Sequence, residues 1–312
     1  MPFVFWVLVS VFLVILFSGA YIFYKACVRQ KELPWMVEEE LKKTSFGKYY
    51  RCIQESDAWL KSHQAKDVYV QSRDGLKLHG FWIPAQKPRG TVLLAHGYRS
   101  TPLVDFGLAF VFYHSLGMNI LVPQQRAHGE SEGKFITFGV RESEDMVCWI
   151  EYHNKNFGDS QLILSGMSMG ASSVLYMADM DLPSNVKCII ADCGFTSPWD
   201  ILDHIFRKVT HLPSTLSLLA ADLFARVFAG FSLKEKNTKQ ILKHARLPVL
   251  MIHGTDDDFV PSVMTQQGYD ACTGPKELMM IPKAGHGVSF LVDRETYVRG
   301  VLSFLEKYLE DF

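Results

Sequence analysis

The sequence predicts an α/β protein: a mostly parallel sheet with helices on both faces, a helical cap inserted late in the chain, and one transmembrane helix ahead of it all. Three observations predict this. Short apolar runs recur, TVLLAH (91–96), NILVP (119–123), QLILSG (161–166), KCIIAD (187–192) and LPVLMIHG (247–254), with the unbroken hydrophobicity of strands buried on both faces. Helical patterns separate them, as over 138–156 and 169–180, which is the alternation of a parallel sheet wound with crossover helices. The first 24 residues carry no charged side chain.

Taken in order, Pro2 to Tyr24 would form about 35 Å of helix, enough to cross roughly 30 Å of hydrocarbon with some tilt. Trp6 lies near one end and Tyr21 and Tyr24 near the other, where interfacial aromatics belong. A cleaved signal peptide is the rival reading, since Ser18-Gly19-Ala20 resembles a cleavage site. Against it, no Lys or Arg precedes the run, and the run is long. Residues 1–24 therefore read as a transmembrane anchor, dispensable for chemistry. Lys25, Arg29 and Lys31 follow it, which predicts a membrane protein with its main domain on the cytoplasmic side.

Residues 25–66 read as a helical stalk packed on the body, because Trp35, Tyr49, Tyr50, Ile53, Trp59 and Leu60 are spaced like helical faces. The body follows over 67–312. It starts antiparallel: Val68–Val70 and Leu76–Trp82 flank the hairpin signal Asp74-Gly75. It ends with a strand, ELMMIP (277–282), and a helix over 291–311. More than fifty residues separate KCIIAD from LPVLMIHG, far beyond an ordinary crossover. The interval 198–246 reads as the cap, with Leu216, Leu219, Ala220, Leu223, Phe224, Val227 and Phe228 on one packing face.

Composition narrows the function. A chain of 312 residues, 48% hydrophobic and with net charge −1, can bury one large core and has no electrostatic reason to bind nucleic acid. Six scattered cysteines form no Cys-x-x-Cys pair and read as buried thiols. No His-Glu-x-x-His, Walker loop or Gly-x-Gly-x-x-Gly calls for a metal or cofactor, so none is expected.

LILSGMSMGA (162–171) carries the chemistry. A strand ends at Gly166 and a helix begins at about Met169, which puts Ser168 on a sharp turn where glycines two residues to either side are sterically sensible. The helix N-terminus offers unpaired N–H groups, that of Met169 first, to a developing oxyanion. A serine hydroxyl needs a base, and His286 in IPKAGHG follows a strand within a loop of small residues. The base needs a carboxylate. HGTDDDFVP (253–261) supplies Asp256, Asp257 and Asp258, and Asp192 is a further candidate.

Over 67–312 these motifs make the chain resemble the alpha/beta-hydrolase superfamily, and most of all its serine-aminopeptidase-like and monoacylglycerol-lipase-like branch. The resemblance implies the alpha/beta-hydrolase fold. His-Gly-x-x-Asp-x-x-Val-Pro, matched by His253, Gly254, Asp257, Val260 and Pro261, implies Asp257 as the acid. Gly-His-Gly implies His286 as the base. His96-Gly97-Tyr98 implies a second oxyanion donor, the Tyr98 N–H. Where relatives often carry Asp-x-Arg-Gly-x-Gly-x-Ser, this chain departs at Gln124 and Ala127 and keeps Arg126, Gly129 and Ser131; His128 there reads as structural. The expected protein is a serine hydrolase that cleaves small-molecule carboxylic esters through an acyl-enzyme, with activity falling below about pH 6 as the base protonates. An aminopeptidase would need acids near the pocket, and the cap offers only Asp200, Asp203, Asp222 and Glu235. A membrane-tethered binding protein on the same scaffold is the third reading.

Overall fold

The computed structural model describes residues 2–30, 39, 42, 46–63 and 65–310. Helix α1 (Pro2–Cys27) comes first, then α2 (Tyr50–Ser62), β1 (Lys66–Gln71), β2 (Lys77–Ile83), β3 (Gly90–Ala95), α3 (Pro102–Ser115) and β4 (Met118–Pro123). After these come α4 (Val140–Phe157), β5 (Leu162–Met167), α5 (Met169–Leu175), β6 (Val186–Asp192), α6 (Pro198–Thr210), α7 (Thr215–Phe224) and α8 (Thr238–Ile241). The chain closes with β7 (Val249–Gly254), α9 (Ser262–Ala271), β8 (Lys276–Ile281), α10 (Ser289–Val292) and α11 (Arg294–Tyr308).

The strands form one sheet in the order β1-β2-β4-β3-β5-β6-β7-β8. β1 and β2 pair antiparallel, β2 pairs antiparallel with β4, and every later pair is parallel. The unbroken apolar runs are what two-sided burial requires. In β3, Val92 and Leu94 pack with Phe106, Phe110 and Phe304 on one face, while Leu93 and Ala95 pack with Trp149, Ile150 and Val174 on the other. This two-residue alternation fixes the register, and the parallel strands bring several of their loops out at one edge.

Two helices are shorter than their patterns predict. The 169–180 pattern is α-helical only to Leu175 and then tightens into successive three-residue turns, such as Met177 N–H to Val174 C=O at 3.1 Å, ahead of Pro183. The 291–311 pattern is split at Asp293, whose side chain accepts from the Thr296 N–H at 3.0 Å and caps α11 afresh.

The segment after α1 is extended rather than helical. Val28 bridges to Phe135, the Ile136 N–H donates to the Cys27 carbonyl at 2.7 Å, and the Arg29 N–H donates to the Lys134 carbonyl at 2.8 Å. α2 packs on α3, with Ile53 and Val104 buried between them. Lys31, Trp35 and the charged run from Glu38 to Lys43, apart from Glu39 and Lys42, lie outside the described residues.

The cap interval differs from its predicted packing. α7 and the π-turn after it (Ala225–Ala229) bury Leu218, Ala221 and Ala225, whereas Leu216, Leu219, Leu223, Val227 and Phe228 are exposed. The buried face is the one that includes Asp222, whose carboxylate accepts from the Leu233 N–H and the Ser232 hydroxyl and receives Arg226. A buried charge satisfied this way holds the helix in one rotation and turns the leucine stripe outward.

α1 also packs into the body. Phe23, Ala26 and Cys27 are buried in a third cluster with Phe138, Met169 and Leu218. Removing the helix would expose the body residues that these three side chains cover.

Candidate active site

Ser168 stands between β5 and α5 with φ 55° and ψ −116°, a sparsely populated conformation for a residue with a side chain. Such a conformation costs on the order of 1–3 kcal/mol and persists only where its surroundings enforce it. Here the Ser168 N–H donates to the Asp192 carbonyl at 2.8 Å, and its own carbonyl accepts from Ser172 N–H at 3.0 Å. The flanking glycines are required by close approach. A Cβ on Gly166 would lie 2.2 Å from the Gly170 carbonyl oxygen, and one on Gly170 would lie 1.8 Å from that of Ala95. The turn thus folds so tightly against β3 that no side chain fits at either place.

The loops after β7 and β8 bring two side chains to this serine. His286 Nε2 lies 2.9 Å from Ser168 Oγ, and His286 Nδ1 lies 2.7 Å from Asp257 Oδ2. An ionised carboxylate only accepts, so Nδ1 carries the proton toward Asp257 and Nε2 is left to accept from the hydroxyl. The hydroxyl proton therefore has a path to an imidazole whose tautomer is fixed. Phe259 sets its ring edge-on to His286 at 5.1 Å between centroids and limits the imidazole's freedom.

Asp257 is braced more heavily than the sequence suggests. Its Oδ1 accepts from the Phe259 and Val260 N–H groups, both at 2.9 Å, and its Oδ2 also lies 3.0 Å from His253 Nε2. His253 is held in turn by Thr265 Oγ1 at 2.6 Å. Burial alone would push the Asp257 carboxyl up, but the hydrogen bonds from His253 and His286 outweigh it and hold the group well below the usual carboxylate range. His253 had been visible only as a marker of the motif, although it sits four residues ahead of the acid it supports. Asp192 is also buried at this edge, but its Oδ1 accepts from Ser289 Oγ at 3.3 Å, and burial pushes it up to about 6.

Of the two expected oxyanion donors, Met169 directly follows Ser168 in the chain and Tyr98 lines the same cavity as Ser168. Met169 N–H opens α5, and neither it nor the Tyr98 N–H donates to a protein group among the described residues. The loop carrying Tyr98 is fixed from behind. Asp105 accepts from the Gly97 N–H and from Ser100 Oγ, each at 2.5 Å, and burial pushes its carboxyl up to about 6. Nothing local in the sequence singles out Asp105. His96 accepts from the Gln125 N–H at 2.9 Å, and its burial holds it neutral, down at about 3.

The loop that holds both the retained Arg126 and the departure at Gln124 is tied down by its own partners. Arg126 bridges Asp145 (2.7 Å) and Asp74 (2.9 Å), tying the β1–β2 turn to α4. Gln124 accepts from the Glu130 N–H at 2.7 Å. His128 accepts from the Arg99 N–H at 2.9 Å and its other nitrogen meets the Arg126 carbonyl.

Cys193 Sγ, Asp257 and His286 offer donor atoms within 4.8 Å of one another. Burial pushes the Cys193 thiol well up, so the sulfur is a neutral thiol, and the other two groups already bond each other. That set fits a packed thiol beside a hydrogen-bonded pair and does not fit a metal ion.

Above Ser168 lies a cavity of about 430 Å³, within the usual size for small-molecule sites. Tyr98, Phe138 and Phe195 floor it, Ile201, Leu202, Ile205 and Phe206 of α6 wall one side, and Ile22 and Ala26 of α1 wall another. The part of α1 in this wall was missed because it reads, residue by residue, as membrane helix.

Known proteins share this fold. The esterase Pf2001 of Pyrococcus furiosus superposes with a TM-score of 0.64 at 24% identity, covering 80% of this chain and 94% of that one. The esterase EaEST of Exiguobacterium antarcticum superposes at 0.58 and 18% identity, covering 77% and 100%. In sequence, the uncharacterized protein YqkD of Bacillus subtilis is 29% identical over 76% of this chain and 78% of its own length. Protein bem46 of Schizosaccharomyces pombe is 21% identical over 76% and 75%. The fold is that of the alpha/beta hydrolases, as the motifs led one to expect, and a family model, the prolyl oligopeptidase family, matches residues 105–312. With more than half its length matched, the chain belongs to the prolyl oligopeptidase family of alpha/beta hydrolases.

Proposed function

We propose that this serine hydrolase cleaves carboxylic esters whose acyl or alcohol part is apolar. Ser168 is the nucleophile, His286 the general base and acid, and Asp257 the carboxylate that orients the imidazole. Ser168 Oγ bonds to the acyl carbon as His286 Nε2 takes its proton, and the N–H groups of Met169 and Tyr98 hold the oxyanion. The ester C–O bond then breaks, and His286 returns the proton to the departing alkoxide. Water, deprotonated by His286, cleaves the acyl-enzyme and releases the acid.

The single observation that carries the ester reading is the apolar cavity over Ser168. A substrate amine would need an acid there, and the cap's four acids are engaged elsewhere. Asp200 accepts from Thr196 Oγ1 at 2.6 Å, Asp203 pairs with Arg207, Asp222 receives Arg226, and Glu235 meets Arg141 at 3.1 Å. We read α1, the one described helix long and apolar enough to cross a membrane, as a single-pass anchor with the hydrolase domain on the cytoplasmic side.

Fluorophosphonate labelling, with hydrolysis of nitrophenyl esters beside aminoacyl-anilides, tests this. The wild type should label and should prefer esters. Ser168→Ala should lose labelling and at least about 10⁵-fold in kcat. Faster anilide cleavage would overturn the ester reading, and equal labelling of the variant would overturn the nucleophile.

A further inference from the structure

α1 has two unlike halves. From Phe3 to Val14 its side chains are almost all exposed, whereas from Ile15 onward it lies along α7. The contact is close: a Cβ on Gly19 would sit 2.3 Å from that of Ala220, and Ser18 Oγ donates to Ser217 Oγ at 2.7 Å. Lower down, Phe23 stacks with Phe224 at 6.3 Å between centroids.

Length decides what surrounds this helix pair. Crossing about 30 Å of hydrocarbon takes about 20 residues, and the free half of α1 supplies only roughly 18 Å at 1.5 Å per residue. A span must therefore continue to about Ile22, and over that stretch α7 lies beside it inside the hydrocarbon. The surface of α7 suits that setting. Leu216, Leu219 and Leu223 of α7 and Val227 of the π-turn after it follow one another on the outer face and are 58%, 47%, 54% and 66% exposed. On a cap bathed in water that stripe would be polar; here it is apolar, like the exposed face of α1, the helix packed beside it. Small residues and a serine pair at the seam are what helices use to pack where water supplies no driving force.

The cavity opens into the same layer. Tyr21 of α1 and Val209 of α6 line it, yet they are 63% and 74% exposed, so they form its rim. That rim lies at the level to which the span must reach.

We propose that α7 lies in the membrane beside α1 and that the substrate is a long-chain acyl ester of the bilayer, drawn sideways between α1 and α6 to Ser168. This rests on the ester reading for the chemistry but not for the placement of α7. The lipid passes its chain from one apolar medium to another, so no step exposes it to water.

The test uses the full chain in phosphatidylcholine–phosphatidylglycerol vesicles. A nitroxide on Leu219→Cys, with half-buried Cys52 replaced by serine, should collide readily with oxygen and poorly with a water-soluble nickel chelate. Strong collision with nickel would put α7 in water, and poor collision with both would put it against a second copy; either result overturns the proposal. In the same vesicles, Leu219→Lys with Leu223→Lys should lower hydrolysis of embedded monooleoylglycerol by at least about tenfold and leave soluble nitrophenyl butyrate unchanged. Equal loss on both esters, or no loss on either, would overturn lateral entry. Wild-type protein inert to both esters and to fluorophosphonate would sink the ester reading itself, while the nitroxide would still decide where α7 lies.

Discussion

The polar edge of the sheet and the apolar wall above it are built by different means. At the edge, Ser168, Asp257 and His286 each stand within a few residues of a strand end, and short loops on the sheet bring them together. In the wall, Ile22 and Ala26 meet Ile201 and Leu202 across most of the chain, held by helix packing with no motif. The difference teaches where each property is stored. Reactivity is set by short loops on a rigid sheet, whereas the space for substrate is set by contacts between distant helices. The edge should therefore fail sharply and chemically, and the wall gradually and by substrate size.

The largest effect expected from breaking the edge without disturbing its shape is that of Asp257→Asn. The amide matches the carboxylate in size but cannot both accept from His286 Nδ1–H and stabilise the imidazolium. kcat should fall by about 10⁴-fold for esters of every chain length, because the loss lies in the proton path and not in the cavity. Kinetics on a graded ester series would measure it. A loss that varied with chain length would mean that edge and wall are not separable.

The sequence carried the edge because its constraints are local. Gly166 and Gly170 are forced by the backbone approach at Ser168, and Val92 and Leu94 alternate with Leu93 because the sheet is covered on both sides. His253 was half visible, since its place four residues before Asp257 was in the motif while its bond to that acid was not. Asp105 was invisible, because its task is to hold the Gly97 N–H and Ser100 from a neighbouring helix. The wall misled for a physical reason. Hydrophobic periodicity reports an apolar face of the cap without saying what medium covers it, and Leu216, Leu219, Leu223 and Val227 face outward. Likewise, Ser18-Gly19-Ala20 looked like a cleavage site, and those small residues are where α1 meets α7.

A milder perturbation, Gly19→Leu, sharpens the comparison from the other side. Its side chain has no room against Ala220 and must push α1 away from α7. Overpacking of this kind typically costs about 1–3 kcal/mol of stability, and here it also displaces the wall that carries Ile22 and Ala26. Decanoate esters should lose about tenfold in kcat/KM, mostly through KM, while butyrate esters change by less than about twofold. A uniform fall in kcat would show that the helix positions the reacting groups as well as the substrate.

The smallest effect concerns two carboxylates of the edge itself. Asp257 is held low by its partners and Asp192 is raised to about 6 by burial. A carboxyl whose folded value lies above its unfolded one binds its proton more tightly when folded. Its contribution is thus most favourable below about pH 4 and is lost as pH rises through about 6. Asp192→Asn, neutral throughout, should match the wild type in stability near pH 4 and exceed it at pH 8, by at most about 3 kcal/mol. Asp257→Asn should show the opposite slope, since a depressed carboxylate stabilises above its unfolded value and that support fades as pH falls below about 4. Denaturant melts of both variants at pH 4 and pH 8 measure the pair. Because Asp192 bonds to Ser289 and not to His286, its variant should keep ester hydrolysis within about threefold of wild type, a change of under 1 kcal/mol in the barrier. Parallel slopes in the two variants would mean that the hydrogen bonds from His253 and His286 do not separate these neighbouring acids, and the tautomer argument for His286 would lose its support.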